Sequence, residues 1–259
     1  MPDLDRAAEL IRSCWNSGDV IDYIKGDLWP DTAEEGYAIQ SRIARLRGEP
    51  VVGWKIAATA VAGRDHINVD RPLAGRLFPS ICHQDGAVLP FGRNRMAVAE
   101  AEFAFTMGSD LPARDAPYTE GEVADSIASL HAGLELPDSR FKDFTLPGTA
   151  GLIADNACAS HFVIGAAATQ EFDPRALAQH PTTLYINEEP VTTGHGSDAL
   201  DGPLNAMVWI ANTLSDLGIG LQAGQFVTTG VTGMPSPVKK GDTIRADLGM
   251  YGSASVTLM

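Results

Sequence analysis

The sequence predicts an α+β protein, a helical N-terminal part followed by a strand-rich remainder, and three observations carry that prediction. Apolar residues in the N-terminal stretch recur at the helical spacing and are bracketed by capping residues. From Met96 onward many apolar runs are short or alternate at the strand period, and the C-terminal runs are punctuated by Gly224, Gly230, Gly233, Pro235, Pro237 and Gly241. The regular strand–helix alternation of a doubly wound sheet is missing, as are a Gly-x-Gly-x-x-Gly fingerprint, a Walker loop, a nucleophile elbow and a zinc-ligand spacing.

Taken in order, Leu4, Ala7, Ala8, Ile11 and Trp15 define a first helix that Asp3 can cap. A second follows Trp29-Pro30, with Thr32 and Glu35 as a capping box, Ala38, Ile39, Ile43 and Leu46 as its buried stripe, and Gly48 to end it. Val51 to Ile56 then reads as a strand with Val52, Trp54 and Ile56 on one face and Lys55 on the other, where a lysine is ordinarily solvated. Thr59 to Phe91 is rich in Gly and Pro and reads as loops with short strands around Leu77-Phe78 and Val88-Leu89. A boundary is expected near Gly75, dividing an N-terminal α+β part (1–75) from a β-rich domain (76–259) that carries the chemistry.

The stretch Met96 to Met107 is the centre of that chemistry. Side chains alternate along a strand, so Ala97, Ala99, Ala101, Phe103, Phe105 and Met107 form one apolar face, while Glu100 and Glu102 share the other about 7 Å apart. Two like charges so placed require open water, a bound proton or a cation between them. Carboxylate oxygens suit hard divalent ions, Mg²⁺ above all, with Mn²⁺ and Ca²⁺ also accommodated.

Beyond it, Thr119 and Glu122 make another capping box, and Val123, Ile127 and Leu130 continue a short amphipathic helix. This leads into Leu134-Glu135-Leu136, a short strand whose leucine-flanked carboxylate needs a partner, either a metal or Arg140. Leu152–Ala157 and Phe162–Gly165 bracket a small-residue segment with Cys158, Ser160 and His161, and Asn187–Pro190 reads as a hairpin turn. Pro203 starts a helix with the stripe Leu204, Met207, Val208, Ala211 and Leu214, stopped at Gly218. Phe226–Thr229, Thr243–Ala246 and Ser255–Leu258 are the closing strands.

Composition narrows the class. Lys+Arg 19 against Asp+Glu 33 gives a net charge of -14, which argues against nucleic acid or an anionic membrane as partner. No window approaches the roughly 18 uninterrupted apolar residues of a membrane span, and the N-terminus lacks a signal-peptide pattern, so a cytoplasmic location is expected. Cys14, Cys82 and Cys158 are odd in number and widely spaced, as reduced thiols are.

Several segments together resemble the 2-keto-4-pentenoate hydratase family, which includes 2-oxohept-3-enedioate hydratases and 4-oxalocrotonate decarboxylases within the fumarylacetoacetate hydrolase superfamily. They are Gly53-Trp54-Lys55-Ile56, Glu100-Ala101-Glu102-Phe103-Ala104-Phe105, Glu135-Leu136-Pro137-Asp138-Ser139-Arg140, Asp155-Asn156-Ala157, Gly202-Pro203-Leu204 with Trp209-Ile210-Ala211-Asn212, and Thr229-Gly230 before Gly241-Asp242. The match runs from about Thr32 to the end.

The resemblance implies a mixed β-sandwich or roll behind the helical part, with a divalent metal, usually Mg²⁺, on Glu100, Glu102 and Glu135. It also implies Lys55 at the active site, Thr229 and Asn156 with Lys55 against the substrate, and an ion pair of Asp138 with Arg140 that orients Glu135. The implied ligand is a small 2-oxo or 2-hydroxy acid, and the implied assembly a homo-oligomer, or a complex with a pathway enzyme. The implied activity is a hydro-lyase of 2-hydroxy-2,4-dienoates, as in meta-cleavage of aromatic compounds. A 4-oxalocrotonate-type decarboxylase is the first alternative and would need Arg71, Arg76 or His161 for a second carboxylate. An acylpyruvate C–C hydrolase would need a His–Glu pair, with His66 the histidine near a suitable loop, and a non-catalytic partner subunit would have lost the metal site. Two positions depart from the family pattern: Leu73 stands where an aspartate is common, and Cys158 where a serine is.

Overall fold

A computed structural model describes residues 2–23, 26 and 28–259, and among these six α-helices and twelve strands form. Helix α1 (Leu4–Ser17) starts where the Asp3 carboxylate accepts the Arg6 N–H at 3.1 Å, and α2 (Ala33–Arg47) where the Thr32 hydroxyl accepts the Glu35 N–H. Gly18 and Gly48, both left-handed, close them. Ile39 and Ile43 are buried as expected, but Leu46 is exposed. The Gly/Pro-rich stretch contributes β1 (Gly53–Ala57), α3 (Val61–His66), β2 (Leu73–Leu77), β3 (Cys82–Gln84) and β4 (Ala87–Leu89). Its short helix α3 has no apolar stripe and buries no residue, which is why composition did not signal it.

Strand β5 (Val98–Met107) follows, then α4 (Glu120–Asp125) on its Thr119/Glu122 capping box. Here the chain departs from the expected helix: residues from Ile127 onward are strand β6 (Ile127–Leu136), not a continuation through Leu130. Val123, Ile127 and Leu130 do keep helical spacing, but so short a helix is marginal by itself. An antiparallel ladder with β5, from Met107↔Ile127 to Glu100↔Glu135, overrides it. Next come α5 (Gly148–Ala154), β7 (His161–Ala167), β8 (Pro181–Ile186), β9 (Glu189–His195), α6 (Pro203–Asp216), β10 (Phe226–Pro237), β11 (Thr243–Asp247) and β12 (Ser253–Leu258). The β8–β9 hairpin turns on Asn187 and Glu188, both at positive φ, the geometry whose twist suits a two-residue turn.

The strands form a seven-stranded mixed sheet in the order β2-β1-β10-β5-β6-β7-β3 and a five-stranded sheet β4-β12-β11-β8-β9. The second packs on one face of the first, β9 against β10, β11 against β5, and β12 against β6 and β7. Ala99, Ala101, Phe103, Phe105 and Met107 of β5 enter one core with Leu184, Ile244, Ala246 and Val256 of the smaller sheet. On the opposite face Ala104, Phe162, Phe226, Leu77, Phe78 and Ala159 make a second, smaller core in which Phe162 and Phe226 stack at 5.5 Å. No helix among the described residues is long and apolar enough to cross a membrane.

The boundary expected near Gly75 falls inside β2. That strand is hydrogen-bonded to β1, which pairs with β10, so one sheet draws strands from both sides of the boundary. Gly75 itself sits where two segments meet closely: a Cβ there would lie 2.5 Å from the Asn156 carbonyl oxygen and 3.0 Å from Lys55 Cγ. Gly75→Ala is therefore expected to destabilise the fold by about 1–3 kcal/mol, read as a lowered thermal midpoint. An unchanged midpoint would mean that the 156–158 segment does not pack on β2 as described.

Candidate active site

The site forms on the face of the seven-stranded sheet that the five-stranded sheet leaves free. Strand alternation puts Glu100 and Glu102 of β5 on this face, and the register places Glu135 of β6 directly opposite Glu100. Oxygens of the three carboxylates lie within 4.8 Å of one another. Glu102 and Glu135 are 0% and 2% exposed, and Glu100 is partly exposed. Lys55 of β1 reaches them across β10 and β5: its Nζ is 2.7 Å from Glu135 Oε1 and donates to the Ala157 carbonyl at 3.0 Å.

Strand β10 lies between β1 and β5, and its bulge supplies the other contacts. Thr228 pairs with Ala104 but Val231 with Glu102, so one extra residue is accommodated around Gly230, which adopts φ +100. The bulge turns the Gly230 N–H onto Glu102 Oε2 at 2.8 Å, and the Thr228 hydroxyl donates to the same oxygen. Thr229, one residue along, points away and donates to the Phe103 carbonyl at 3.1 Å. The hydroxyl on the site thus belongs to Thr228 rather than to Thr229, because alternation along β10 gives adjacent residues opposite faces.

Two more expectations are corrected by their hydrogen bonds. Asn156 does not offer its amide to the site: Oδ1 accepts the Arg76 N–H at 2.7 Å and Nδ2 donates to the Arg76 carbonyl at 2.8 Å. This clamp to β2 holds a turn in which Asn156, Ala157 and Cys158 all have positive φ, and that turn aims the Ala157 carbonyl at Lys55. Nor does Arg140 pair with Asp138. Its partner is the fully buried Asp155, which accepts from Arg140 Nε at 2.5 Å, from the Arg140 N–H at 3.0 Å and from the Ser139 hydroxyl at 2.6 Å. A carboxylate sealed from water needs that neutralisation more than Asp138, which lies at the edge and accepts the Arg95 N–H at 2.9 Å. The Asp-Ser-Arg and Asp-Asn-Ala motifs therefore meet, and together they fix the segment behind Lys55.

Electrostatically the site carries more negative charge than its one ammonium balances. Burial, then Glu135, pushes the Glu100 carboxyl up to about 8 and holds Glu102 well above the carboxylate range. Burial works against the Lys55 ammonium, but Glu135, with Glu100 and Glu102, outweighs it and keeps the amine above its ordinary value. Glu102 Oε1 and Glu135 Oε2 are buried without a hydrogen-bond partner. Unpaired carboxylate oxygens converging in a sealed site are what a hard divalent cation requires, and the donor set fits one.

The remaining candidate residues lie apart from this cluster or play no chemical part in it. Burial pushes the Cys158 thiol up to about 12, so it packs as a neutral group. Leu73 is buried in β2 and pairs with Ala57, on the same face as Gly75 and Lys55. Arg71 is exposed and paired with Asp70, and Arg76 points to the opposite face of β2, over the Trp54 ring. His161, pushed down to about 4 by burial and His83, contacts His83 at 3.0 Å, and His66 is exposed on α3. A surface cleft lined by Trp15, Arg93, Arg95, Asp138 and His161 opens beyond the end of β6, but none of the three glutamates lines it.

Comparison with known proteins identifies the family and the fold. Residues 33–259 match the fumarylacetoacetate (FAA) hydrolase C-terminal family. The chain is 32% identical over 255 residues to a 2-keto-4-pentenoate hydratase of Paraburkholderia xenovorans, covering 96% of this chain and 92% of the relative. It is 31% identical over 232 residues to a 2-hydroxyhexa-2,4-dienoate hydratase of Comamonas testosteroni, covering 87% and 86%. A 4-oxalocrotonate decarboxylase from Pseudomonas putida G7, complexed with magnesium and adipate, superposes with a TM-score of 0.87 at 27% identity, over 99% of this chain and 97% of that one.

The carboxylate cluster makes metal-free stability pH-dependent. The unfolded chain releases the Glu100 proton near 4.5 and the folded chain near 8, so stability falls as pH rises through that window. In EDTA the thermal midpoint is expected to drop between these pH values, and excess Mg²⁺ to restore it at the upper end. Glu102→Gln, which replaces a carboxylate by a neutral amide, should abolish the Mg²⁺ response. Retention of a wild-type Mg²⁺ response in that variant would remove Glu102 from the ligand set.

Proposed function

The chain belongs to the fumarylacetoacetate hydrolase C-terminal family, and on that footing we propose that it is a divalent-metal-dependent hydratase of a 2-hydroxy-2,4-dienoate, with Mg²⁺ the expected metal. The observation that carries the proposal is the trio of converging carboxylates with two unpartnered buried oxygens beside Lys55. Glu100, Glu102 and Glu135 would hold the cation, whose chemistry is that of a Lewis acid stabilising negative charge on the 2-oxygen of a bound 2-oxo acid.

The protein groups have separate tasks. Thr228 and the Gly230 N–H hold one oxygen of Glu102 and so set the direction of the other. Lys55 has three N–H bonds. One meets Glu135 and one the Ala157 carbonyl, leaving one for substrate. In the reaction proposed, the dienol loses its O2 proton and gains one at C5 to become a conjugated 2-oxo-3-enoate. Water then delivers hydroxide to C4 and a proton to C3, giving a 4-hydroxy-2-oxo acid. Lys55 Nζ is assigned as the acid–base group for these transfers, because it is buried beside the carboxylates and keeps one N–H for substrate.

The decarboxylase alternative needs a cation for a second carboxylate, and the three candidates do not supply it. Arg71 is paired on the surface, Arg76 lies on the other side of β2, and burial disfavours charge on His161. The hydrolase alternative lacks its histidine, since His66 is exposed on α3. A non-catalytic subunit would show carboxylates splayed apart or bridged by Arg140, which is instead bound to Asp155.

A ¹H NMR and ultraviolet time course on 2-hydroxypenta-2,4-dienoate, with Mg²⁺ and with excess EDTA, tests the reading. The expected product is 4-hydroxy-2-oxopentanoate with Mg²⁺ alone, and release of CO₂ from 2-oxohex-3-enedioate would favour the decarboxylase instead. Lys55→Met is expected to lower kcat by about 10²–10⁴-fold while the Mg²⁺-induced rise in thermal midpoint persists. Undiminished turnover in that variant would remove Lys55 from the chemistry.

A further inference from the structure

Buried polar side-chain atoms without a partner are rare in folded proteins, and each calls for an explanation. Five occur among the described residues: Arg12 Nε, Trp54 Nε1, Thr59 Oγ1, Glu102 Oε1 and Glu135 Oε2. The two glutamate oxygens are those the cation of the proposed function would take. Trp54 lies on the face of β1 opposite Lys55, beneath the Arg76 guanidinium, and Arg12 is in α1. Thr59 remains, 4% exposed and with its hydroxyl unpaired.

Its position is set by the bulge. A Cβ built on Gly230 would stand 2.4 Å from Thr59 Oγ1, so the hydroxyl occupies the space that the missing side chain leaves open. The N–H of that same Gly230 binds Glu102 Oε2 at 2.8 Å. Thr59 is therefore a neighbour of the Glu102 carboxylate through one shared residue. The loop that carries it is fixed: Ala58 is left-handed at φ 59, and Arg64 Nη1 holds the Ala58 and Thr59 carbonyls at 3.1 and 3.0 Å. A hydroxyl so held, buried and unpaired, is arranged in advance for a group that arrives later.

The arriving group must tolerate three carboxylates nearby, which a free anion does not unless it shares their cation. We propose that Thr59 is a substrate-contacting residue whose hydroxyl donates a hydrogen bond to the carboxylate of a metal-bound 2-oxo acid. The inference rests on the functional reading above and extends it to a residue outside the carboxylate cluster. Thr59 thereby helps to select the 2-oxo-carboxylate end of the substrate. A ligand lacking that carboxylate leaves the hydroxyl unpaired, and the site discriminates against it for that reason.

The test uses 2-oxopentanoate, a saturated 2-oxo acid that cannot be hydrated, titrated calorimetrically into the full chain with saturating Mg²⁺. Thr59→Val keeps the shape and removes the hydroxyl, whereas Thr59→Ser keeps the donor. Thr59→Val is expected to weaken 2-oxopentanoate binding about tenfold or more, as loss of a hydrogen bond to a charged group does. Thr59→Ser should bind within about threefold of wild type, the hydroxyl being retained. All three proteins should bind Mg²⁺ alike in the absence of the acid. Wild-type affinity for 2-oxopentanoate in Thr59→Val would overturn the assignment alone. Loss of Mg²⁺ binding in that variant would also overturn it, since the hydroxyl would then serve the metal or the fold. Failure of wild type itself to bind the acid while binding Mg²⁺ would overturn the functional reading and this assignment with it.

Discussion

Three carboxylates and one ammonium confined to a single sheet face are the constraint around which the rest of the structure is arranged. Glu100, Glu102 and Glu135 crowd together with two of the three sealed from water, and Lys55 offsets only part of that charge. Fixed dipoles hold these groups in place without neutralising them. Thr228 and the Gly230 N–H bear on Glu102, and the Ala157 carbonyl bears on Lys55. The Gly230 and Ala157 contacts depend on backbone conformations that ordinary strands and helices do not provide.

Those conformations are sustained by buried groups that never touch the carboxylates. Three consecutive left-handed residues at Asn156, Ala157 and Cys158 are unfavourable for residues with a Cβ. Asn156 bonding both backbone groups of Arg76, and Asp155 neutralised by Arg140, hold the turn in place. Arg140 also caps this arrangement through the Ala159 carbonyl at 2.7 Å and lies over the Trp15 ring of α1. The helical N-terminal part thus buttresses the charged face, and the five-stranded sheet covers the apolar one.

Much of this was legible from residue order. Strand alternation alone put Glu100 and Glu102 on one face, and capping residues located the starts of α1, α2 and α4. The resemblance added Glu135 and Lys55 to the glutamate pair, and the register brings all four together. The helical spacing of Val123, Ile127 and Leu130 misled because a pattern compatible with a helix gave way to pairing with a strand that lies 20 or more residues earlier in the chain. Thr229 stands before a glycine, yet the register of β10 with β5, Thr228 opposite Ala104, puts Thr228 and not its neighbour on the site face. Asp138 and Arg140, two positions apart, looked like a pair until the more deeply buried Asp155 claimed the arginine.

By itself the sequence determined the fold class, the faces of its principal strand and the oxygen-rich donor set suited to a hard cation. These follow from short-range periodicity and side-chain chemistry, which are written locally. Only the tertiary structure decided that Glu135 stands opposite Glu100, that Lys55 is buried rather than solvated, that Asn156 clamps β2, and that Thr59 is left with an unpaired hydroxyl. Each of those outcomes depends on strand register or on contacts between segments far apart in the chain, and no local pattern encodes which distant partner a residue will meet.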